Sequence, residues 1–568
     1  MRCIFFLILL LVGSTNKLDA NIRVTIVLDK NSTSNVKSAA EELGRLVQKI
    51  EPNYSVEIRN RKNKEGINII ITPKHKDTQG LITDSDGYLI KRLDESSVLI
   101  SGITDIGTEL GIYEYLEDVI GVAWLMPSEL WTYLPDKIIS FFPENIIYSV
   151  PFFGTRLLSP LDIDKKSSKM GEWARKNKLR GRVEFHHNMN ELFKNSTNLN
   201  FIASYKGQWK LPDFSTSHNW QPNFDADGIV EYSSNQIIKY FKRNSEKSSY
   251  SLGINDSYRF DTRIMGLTKN RLGLVNFSES YYSWANKVVQ NVNRSFPNKT
   301  FGVLAYLNVA EPPTFKIESQ IVPFVPYERT QWLVDSLRIA DVKLLMDWQS
   351  VSSSVGVYDY VYGMNYLIPR TNLKAISFSI KEIAGMGITH YYAEFYPNWI
   401  DGPKGWLIAS LLWNPQQDPV ELIDIWYNKA FGTKAAVPMK EFYNLWEDFW
   451  ASKMIHTSWW KSGKIWLNFS DISYLKEIPE DPYLQSKKYL DQAVRLAENN
   501  ESLDRIMFLY EMFEFQRLNY YYFNKLRDPT TGEFISSKIL EANLQKLRRY
   551  EINDVFYRFH KKYITYNL

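Results

Sequence analysis

The sequence predicts an α/β protein in three parts: a small N-terminal α/β domain over 21–150, a central (β/α)8 TIM-like barrel over 151–410 and a C-terminal α-helical region over 411–568. Three observations carry this reading. An alternating β-branched run, Arg23 to Leu28, is followed by an apolar stripe at helical spacing. Short apolar runs then alternate with helix-like stretches through the middle of the chain, the pattern of repeated strand–helix units. Beyond 410 the segments are amphipathic and helical, with no strand-like run between them.

The first element is a processing signal. Arg2 supplies positive charge, Ile4 to Val12 are continuously apolar, and Leu18-Asp19-Ala20 ends in a small residue suited to cleavage. The run is too short to span a bilayer, and no later stretch reaches about 18 apolar residues. Residues 1–20 therefore read as a secretory signal peptide, with no transmembrane anchor and a secreted or periplasmic destination. Val36, Ala39, Ala40, Leu43, Leu46, Val47 and Ile50 then form one buried helix face. Ile67–Ile71 is a short strand, and Gly87–Lys91 with Ser97–Ser101 is a strand pair. A second helix runs from Asp105 to Val119 and stops near Gly121. Val122–Leu125 resume as a strand, and Pro127, Pro135 and Pro143 punctuate the linker.

In the middle part the expected strands are Gly154–Leu158, Arg182–His187, Tyr250–Asn255, Phe301–Asn308, Val342–Asp347, Gly356–Tyr360 and Thr389–Phe395. Helices are expected over Ser233–Phe241, Ser278–Val292, Gln331–Ile339 and Leu373–Met386. An open doubly wound sheet is the alternative, but it usually carries a Gly-rich nucleotide loop after its first strand, and none is present. The C-terminal helices are Pro419–Lys429, Met439–Trp450, Tyr483–Asn499, Asp504–Lys525 and Ile539–Tyr550, ending in a basic tail with His560.

Composition narrows the chemistry. With 44% hydrophobic and 23% charged residues, the 568-residue chain is not a disordered one. The 68 basic and 64 acidic residues leave a net charge of +4, so nothing calls for a nucleic-acid partner. The single cysteine, Cys3, lies inside the signal, which removes disulfides, a thiol nucleophile and cysteine metal ligands from the mature protein. Aromatic residues are abundant (Trp 17, Tyr 35, Phe 31), enough to fill large cores or to furnish flat platforms for sugar rings. There is no Gly-x-Ser-x-Gly elbow, no His-Glu-x-x-His helix and no phosphate-binding loop.

Barrel enzymes place their sites at the C-terminal ends of strands. Here those ends carry acids and rings. Asp256 follows Asn255, and Glu394 stands among Tyr391, Tyr392, Phe395 and Tyr396. Tyr306 leads to Glu311, Asp347 precedes Trp348, and Asp359 precedes Tyr360. Arg156 lies in the first strand, His187 ends the second, and His218 and Trp220 share a loop. Glycoside hydrolysis needs two carboxyl groups, one to protonate the leaving oxygen and one to act as nucleophile or base. An acid among rings is poorly solvated and tends to keep its proton, which suggests Glu394 as the acid and Asp256 as its partner. Arg156, His187, His218, Trp220, Asn255, Tyr306, Glu311, Trp348, Tyr360 and Tyr392 are the substrate-binding candidates. No metal and no cofactor are expected, because the His186-His187 pair lacks a third ligand at a recognisable spacing. A uronic-acid substrate would want a basic clamp, for which Arg156 and Arg370 are the candidates.

Two resemblances add to this. Gly107-Thr108-Glu109-Leu110-Gly111-Ile112-Tyr113-Glu114-Tyr115, followed by Gly121-Val122-Ala123-Trp124-Leu125-Met126-Pro127, resembles the small N-terminal domain of α-glucuronidases and β-hexosaminidases, although Ala123 replaces the usual Arg before Trp. The set His187, His218-Asn219-Trp220-Gln221-Pro222, Asn255-Asp256, Ala305-Tyr306, Pro312-Pro313, Asp359-Tyr360, Glu394 and Leu411-Leu412-Trp413-Asn414-Pro415 resembles a largely uncharacterised family of bacterial secreted proteins, catalogued as a domain of unknown function. Many members carry a Cys-rich loop after the Asn-Asp position, and this chain has none. The resemblance implies a TIM-barrel glycoside hydrolase acting on polysaccharide or oligosaccharide. A non-catalytic carbohydrate-binding protein on the same scaffold is the alternative, and a structural surface protein with a partner-binding helical tail is a third reading. The helical region would pack against the barrel and offer a homodimer surface.

Overall fold

The computed structural model describes residues 22–161, 163, 168–463 and 465–566, so the expected signal peptide lies outside the described residues. The chain forms two compact units. The first runs to Val122 and resumes over Leu134–Val150; the second takes Ala123–Tyr133 and everything from Pro151 onward.

In the first unit β1 (Arg23–Leu28), α1 (Ser34–Ile50), β2 (Ser55–Arg59), β3 (Ile67–Ile71), β4 (Tyr88–Arg92), β5 (Ser97–Gly102) and α2 (Asp105–Glu114) follow in order. The seven apolar residues of the α1 stripe are all buried, which is how an amphipathic helix covers a sheet face. The Thr104 side chain caps α2 by accepting from Gly107 N. The sheet order is β2-β1-β3-β5-β4, completed by the late strand Ile147–Ser149, which pairs antiparallel with β4.

The second unit opens with a short hairpin, β6 (Ala123–Trp124) and β7 (Thr132–Tyr133); the late strand just described is then β8. Trp131 in this hairpin is fully buried and stacks on Trp426 at 5.9 Å. Next come β9 (Thr155–Ser159), α3 (Lys169–Lys176), α4 (Met189–Phe193), α5 (Ile229–Arg243), β10 (Ser249–Ser251), α6 (Ser278–Asn293), β11 (Thr300–Leu304), β12 (Ile321–Tyr327), α7 (Asp335–Val351), β13 (Gly356–Tyr360), α8 (Leu373–Gly385) and β14 (His390–Glu394). The strands form one six-stranded sheet, β10-β11-β12-β13-β14-β9, in which every neighbouring pair is parallel. It is a curled half-barrel, not the eight-stranded barrel expected.

Two departures from the expected elements explain the difference. Arg182–His187 forms no regular strand. The segment instead crosses the open side of the sheet: Arg180 bridges Arg156 of β9, and His187 bridges Gly253 beyond β10. Gly302 N donates to Glu184 O at 3.1 Å and Glu184 N to Ser249 Oγ at 2.9 Å. Phe185 fills the interior, stacked on Phe324 with ring centres 3.8 Å apart, inside a core that includes Val183, Leu304, Val322 and Tyr392. Two glycines permit this approach. A Cβ on Gly302 would stand 2.4 Å from Glu184 O, and one on Gly253 would stand 2.3 Å from Phe185 O.

The second departure is Val342–Asp347, which belongs to α7 and is not a strand. The strand is β12, all seven of whose residues are buried. Burial on both faces erases the alternation that marks a half-buried strand, and Pro323 and Pro326 argue against a central strand in sequence.

The remaining helices are α9 (Lys404–Trp413), α10 (Pro419–Ser452), α11 (Ser458–Lys461), α12 (Asp481–Leu496), α13 (Asn500–Asn524), α14 (Ser537–Leu547) and α15 (Asp554–Tyr566). α10 joins two expected helices across a break at Gly432, where φ is +74°, a conformation that glycine adopts without strain. Asn499 and Ser502 form a reciprocal cap on α13. Among the described residues no helix is long and apolar enough to cross a membrane.

The crossing segment makes a stability prediction. Gly302→Ala forces a methyl against the Glu184 carbonyl and is expected to cost about 1–3 kcal/mol, as overpacking does. Urea unfolding followed by circular dichroism measures this, and an unmoved midpoint would show that the segment is not held against β11 as described.

Candidate active site

Successive side chains of a strand point to opposite faces. Tyr358 and Tyr360 of β13 therefore share the interior face, as do Tyr392 and Glu394 of β14, and the register sets Tyr358 beside Tyr392 and Tyr360 beside Glu394. Glu394, half-buried at the end of β14, accepts hydrogen bonds from two phenols: Tyr358 donates to Oε1 and Tyr362 to Oε2. The Tyr362 ring is held in a stack, 5.0 Å from Tyr396, 4.3 Å from Phe469 and 6.0 Å from Tyr360. Tyr396 itself sits at φ +36°, a left-handed conformation that a bulky residue adopts only when its surroundings impose it. Its N–H and that of Phe395 both donate to Ser159 O, at 3.1 and 2.8 Å.

Asp256 lies exposed in the loop beyond β10 and accepts from the Tyr306 hydroxyl at 3.2 Å. Tyr306 follows β11, and the next residue, Leu307, is also left-handed at φ +51°. Trp466 adjoins both Tyr306 and Tyr360, with ring centres 6.4 and 5.5 Å away. The phenols of Tyr306 and Tyr360 are pushed well above the usual range, first by burial and then by negative charge from both Asp256 and Glu394. Tyr306 binds Asp256, Tyr306 and Tyr360 both adjoin Trp466, and Tyr360 stands opposite Glu394, so the two carboxylates flank one cluster of rings. The phenols stay protonated and remain donors.

His187 completes one wall. Its Nδ1 meets Ile254 O, and its ring lies 6.3 Å from Tyr306. His186 is reached by solvent at one edge but crowded by Phe185 and Tyr392, with ring centres 4.3 and 5.0 Å away. That crevice setting, helped by the charge of His187, pushes its imidazole down to about 4, so it is neutral at pH 7.

A fully buried ion pair supports these groups from below. Arg370 Nη2 donates to Glu328 Oε1 and, at 2.9 Å, to Thr330 Oγ1, while Nη1 donates to Tyr362 O at 2.8 Å. Glu328 Oε2 accepts from Leu467 N at 2.6 Å, and Glu328 N donates to Ile465 O at 2.8 Å. The pair thus joins the end of β12, the Tyr362 loop and the 465–467 segment, which carries Trp466. Burial raises the Glu328 carboxyl above its ordinary value, opposed by the attraction of Arg370. Arg370 stacks on Tyr366 at 4.4 Å and Trp450 at 5.4 Å and keeps its charge.

The structure therefore brings Asp256, Glu394, Tyr306, Tyr360, Tyr392 and His187 together. It places the other candidates elsewhere or in supporting positions. Arg156 is buried against the Lys178, Phe153 and Gly154 carbonyls and the Trp413 ring, and Arg370 is engaged by Glu328, so neither is an open clamp for a uronic acid. Asn255 is buried; its Nδ2 donates to Trp220 O at 3.0 Å and its backbone pairs with Gln221. Trp220 is buried beside Phe193 and Phe214 and donates to Asn190. His218 shares with His187 an open polar groove of about 680 Å³. Glu311 accepts from Arg271 N at 2.9 Å and pins that loop. Trp348, expected at a strand end, lies inside α7, fully buried beside Tyr282 at 5.2 Å. Asp347, next to it, pairs with Lys343 on the same helix. Asp359 points away from the interior and accepts from Arg329 N and the Tyr391 hydroxyl.

Tyr358, Tyr362, Glu328, Trp466 and Phe469 were not anticipated. Alternation along β13 would have found Tyr358. Nothing in the local sequence marks Trp466 or Phe469, which reach the site from a loop of the helical region. Among the described residues no group of three or more His, Cys, Asp or Glu is placed to hold a metal ion.

The curled parallel sheet with helices outside it is similar in fold to solved glycoside hydrolases. Two of the similar structures are the following. One is the family GH115 4-O-methyl-α-glucuronidase BtGH115A, with specificity for decorated arabinogalactans, at 11% identity and a TM-score of 0.52, covering 93% of this chain and 76% of that one. The other is the family 89 glycoside hydrolase from Clostridium perfringens in complex with 2-acetamido-1,2-dideoxynojirmycin, at 10% identity and a TM-score of 0.51, covering 91% and 66%. At such identities the likeness is one of fold. Residues 126–444, more than half of the chain, match the domain of unknown function DUF4838, and the protein belongs to that family. No curated protein matches the chain.

The buried pair yields a prediction. Arg370→Met leaves Glu328 buried and uncompensated and is expected to cost about 3–5 kcal/mol, whereas the double variant Arg370→Met/Glu328→Met recovers much of that loss. Denaturant unfolding of the two variants tests it; equal loss in both would show that the pair is not coupled.

Proposed function

We propose that the protein is an exported glycoside hydrolase acting on polysaccharide or oligosaccharide, with Glu394 and Asp256 as its catalytic carboxylates. The observation that carries this is one cluster of rings between the two carboxylates: Tyr306 donates to Asp256, Trp466 adjoins both Tyr306 and Tyr360, and Tyr360 stands opposite Glu394 in the sheet register. The GH115 and family 89 fold neighbours support the reaction class by analogy.

The hydrogen bonding favours roles opposite to those expected from sequence, with Asp256 in place of Glu394 as the acid. The rings around Glu394 are tyrosines whose hydroxyls occupy both of its oxygens as acceptors, an arrangement suited to bearing negative charge rather than giving up a proton. Glu394 faces the positive charge that develops at the anomeric carbon. Asp256 has a single phenol donor, on Oδ1, which leaves Oδ2 as the oxygen that carries the proton once a bound sugar covers the carboxyl from water. Its carboxyl gives a proton to the glycosidic oxygen as the C–O bond breaks. Water then supplies hydroxide to the anomeric carbon and returns a proton to Asp256. Trp466 and Tyr360 offer flat surfaces for the sugar ring.

The test is a panel of aryl and alkyl glycosides with plant and host glycans. Glu394→Gln is expected to lower kcat/KM by about 10²–10⁴-fold on every substrate turned over, with circular dichroism unchanged. Asp256→Asn is expected to lose much more on alkyl than on activated aryl glycosides, because a good leaving group needs no proton. Full turnover by Glu394→Gln would remove it from the mechanism.

A further inference from the structure

A cavity of about 730 Å³ lies where the helical region adjoins the site, a size that suits a small-molecule ligand. Phe469 lines it, and the same ring stacks on Tyr362, the phenol that donates to Glu394. The cavity therefore begins one ring away from a proposed catalytic carboxylate. Its walls are largely aliphatic and aromatic, including Leu475, Leu540 and Ile535, and at its edge Leu526 and Phe534 are exposed, at 40% and 56%.

Several of its polar groups are already engaged within the protein, and Asn365, Ser470 and Lys525 also line it. The Asp471 carboxylate accepts from Ser473 N at 2.9 Å, Asn519 Nδ2 donates to Phe515 O at 2.7 Å, and His560 Nε2 meets Met364 O at 2.9 Å. A sugar ring there would lose water from its hydroxyls and find few partners, which is costly. An apolar group would gain from the same surface. On the other side, His187 and His218 lie in the polar groove, which also holds the exposed Glu191–Lys194 ion pair.

We propose that this cavity binds an apolar aglycone, an alkyl or aryl group joined through the glycosidic oxygen to the sugar held at Glu394, so that the substrate is a glycoconjugate with one polar and one apolar half. The inference rests on the hydrolase reading for the word aglycone, but the cavity's preference for apolar groups can be tested without turnover. The probe is n-octyl β-D-glucoside below its micelle concentration, titrated calorimetrically into the full chain and compared with methyl β-D-glucoside. Octyl glucoside is expected to bind at least tenfold more tightly than methyl glucoside. Ser537→Trp, which fills the cavity from the start of α14, should weaken octyl binding at least tenfold, while Ser537→Ala leaves it unchanged. Equal binding of the two glucosides, or octyl binding untouched by Ser537→Trp in a protein with wild-type circular dichroism, overturns the proposal. Octyl binding without hydrolysis of any glycoside would sink the hydrolase reading and leave the apolar site standing, whereas hydrolysis without octyl binding would do the reverse.

Discussion

The site depends on one buried ion pair. Glu328 and Arg370 are almost wholly removed from water, where either charge alone would be very costly. Their mutual attraction, with the Thr330 hydroxyl, the Leu467 N–H and the Tyr362 carbonyl, offsets that cost. Each partner group lies in a different stretch of chain. Satisfying the pair therefore fixes the end of β12, the loop after β13 and the loop that brings Trp466 and Phe469 across from the helical region. The helical region is in this sense part of the site.

Above the pair, tyrosine is used where phenylalanine would have given the same packing. Burial and the two carboxylates keep the phenols protonated. Protonated phenols are fixed donors, and two of them hold the Glu394 carboxylate while a third holds Asp256. Groups arranged in advance around a charge that changes during reaction need little reorganisation when it does so. The left-handed backbone at Tyr396 and Leu307, each close in sequence to a member of this network, is strain held by the surrounding structure.

Much of the frame was legible in the sequence. The α1 stripe, β13 and β14 stand almost where their periodicity puts them, and Asp256, Tyr306, Tyr360 and Glu394 each lie at or just beyond a strand. What failed did so for identifiable reasons. β12 is buried on both faces and carries Pro323 and Pro326, so its pattern resembled no strand, and the neighbouring Val342–Asp347 run, in truth helical, took its place. Arg182–His187 has strand composition, but Gly253 and Gly302 let it press directly onto the sheet in place of joining it. Arg370 looked like an open clamp because its partner, Glu328, lies 42 residues away in sequence. Trp466 and Phe469 reach the site through tertiary packing, which no local pattern records.

The central claim is that Asp256 and Glu394 face one sugar-sized space lined by tyrosines. A crystal structure of the Glu394→Gln variant soaked with a panel of monosaccharides tests it most directly. The account predicts a sugar ring within hydrogen-bond reach of both positions, beside Trp466 and Tyr360. A sugar bound elsewhere, or density that touches one carboxylate position while the other faces a separate surface, would contradict it.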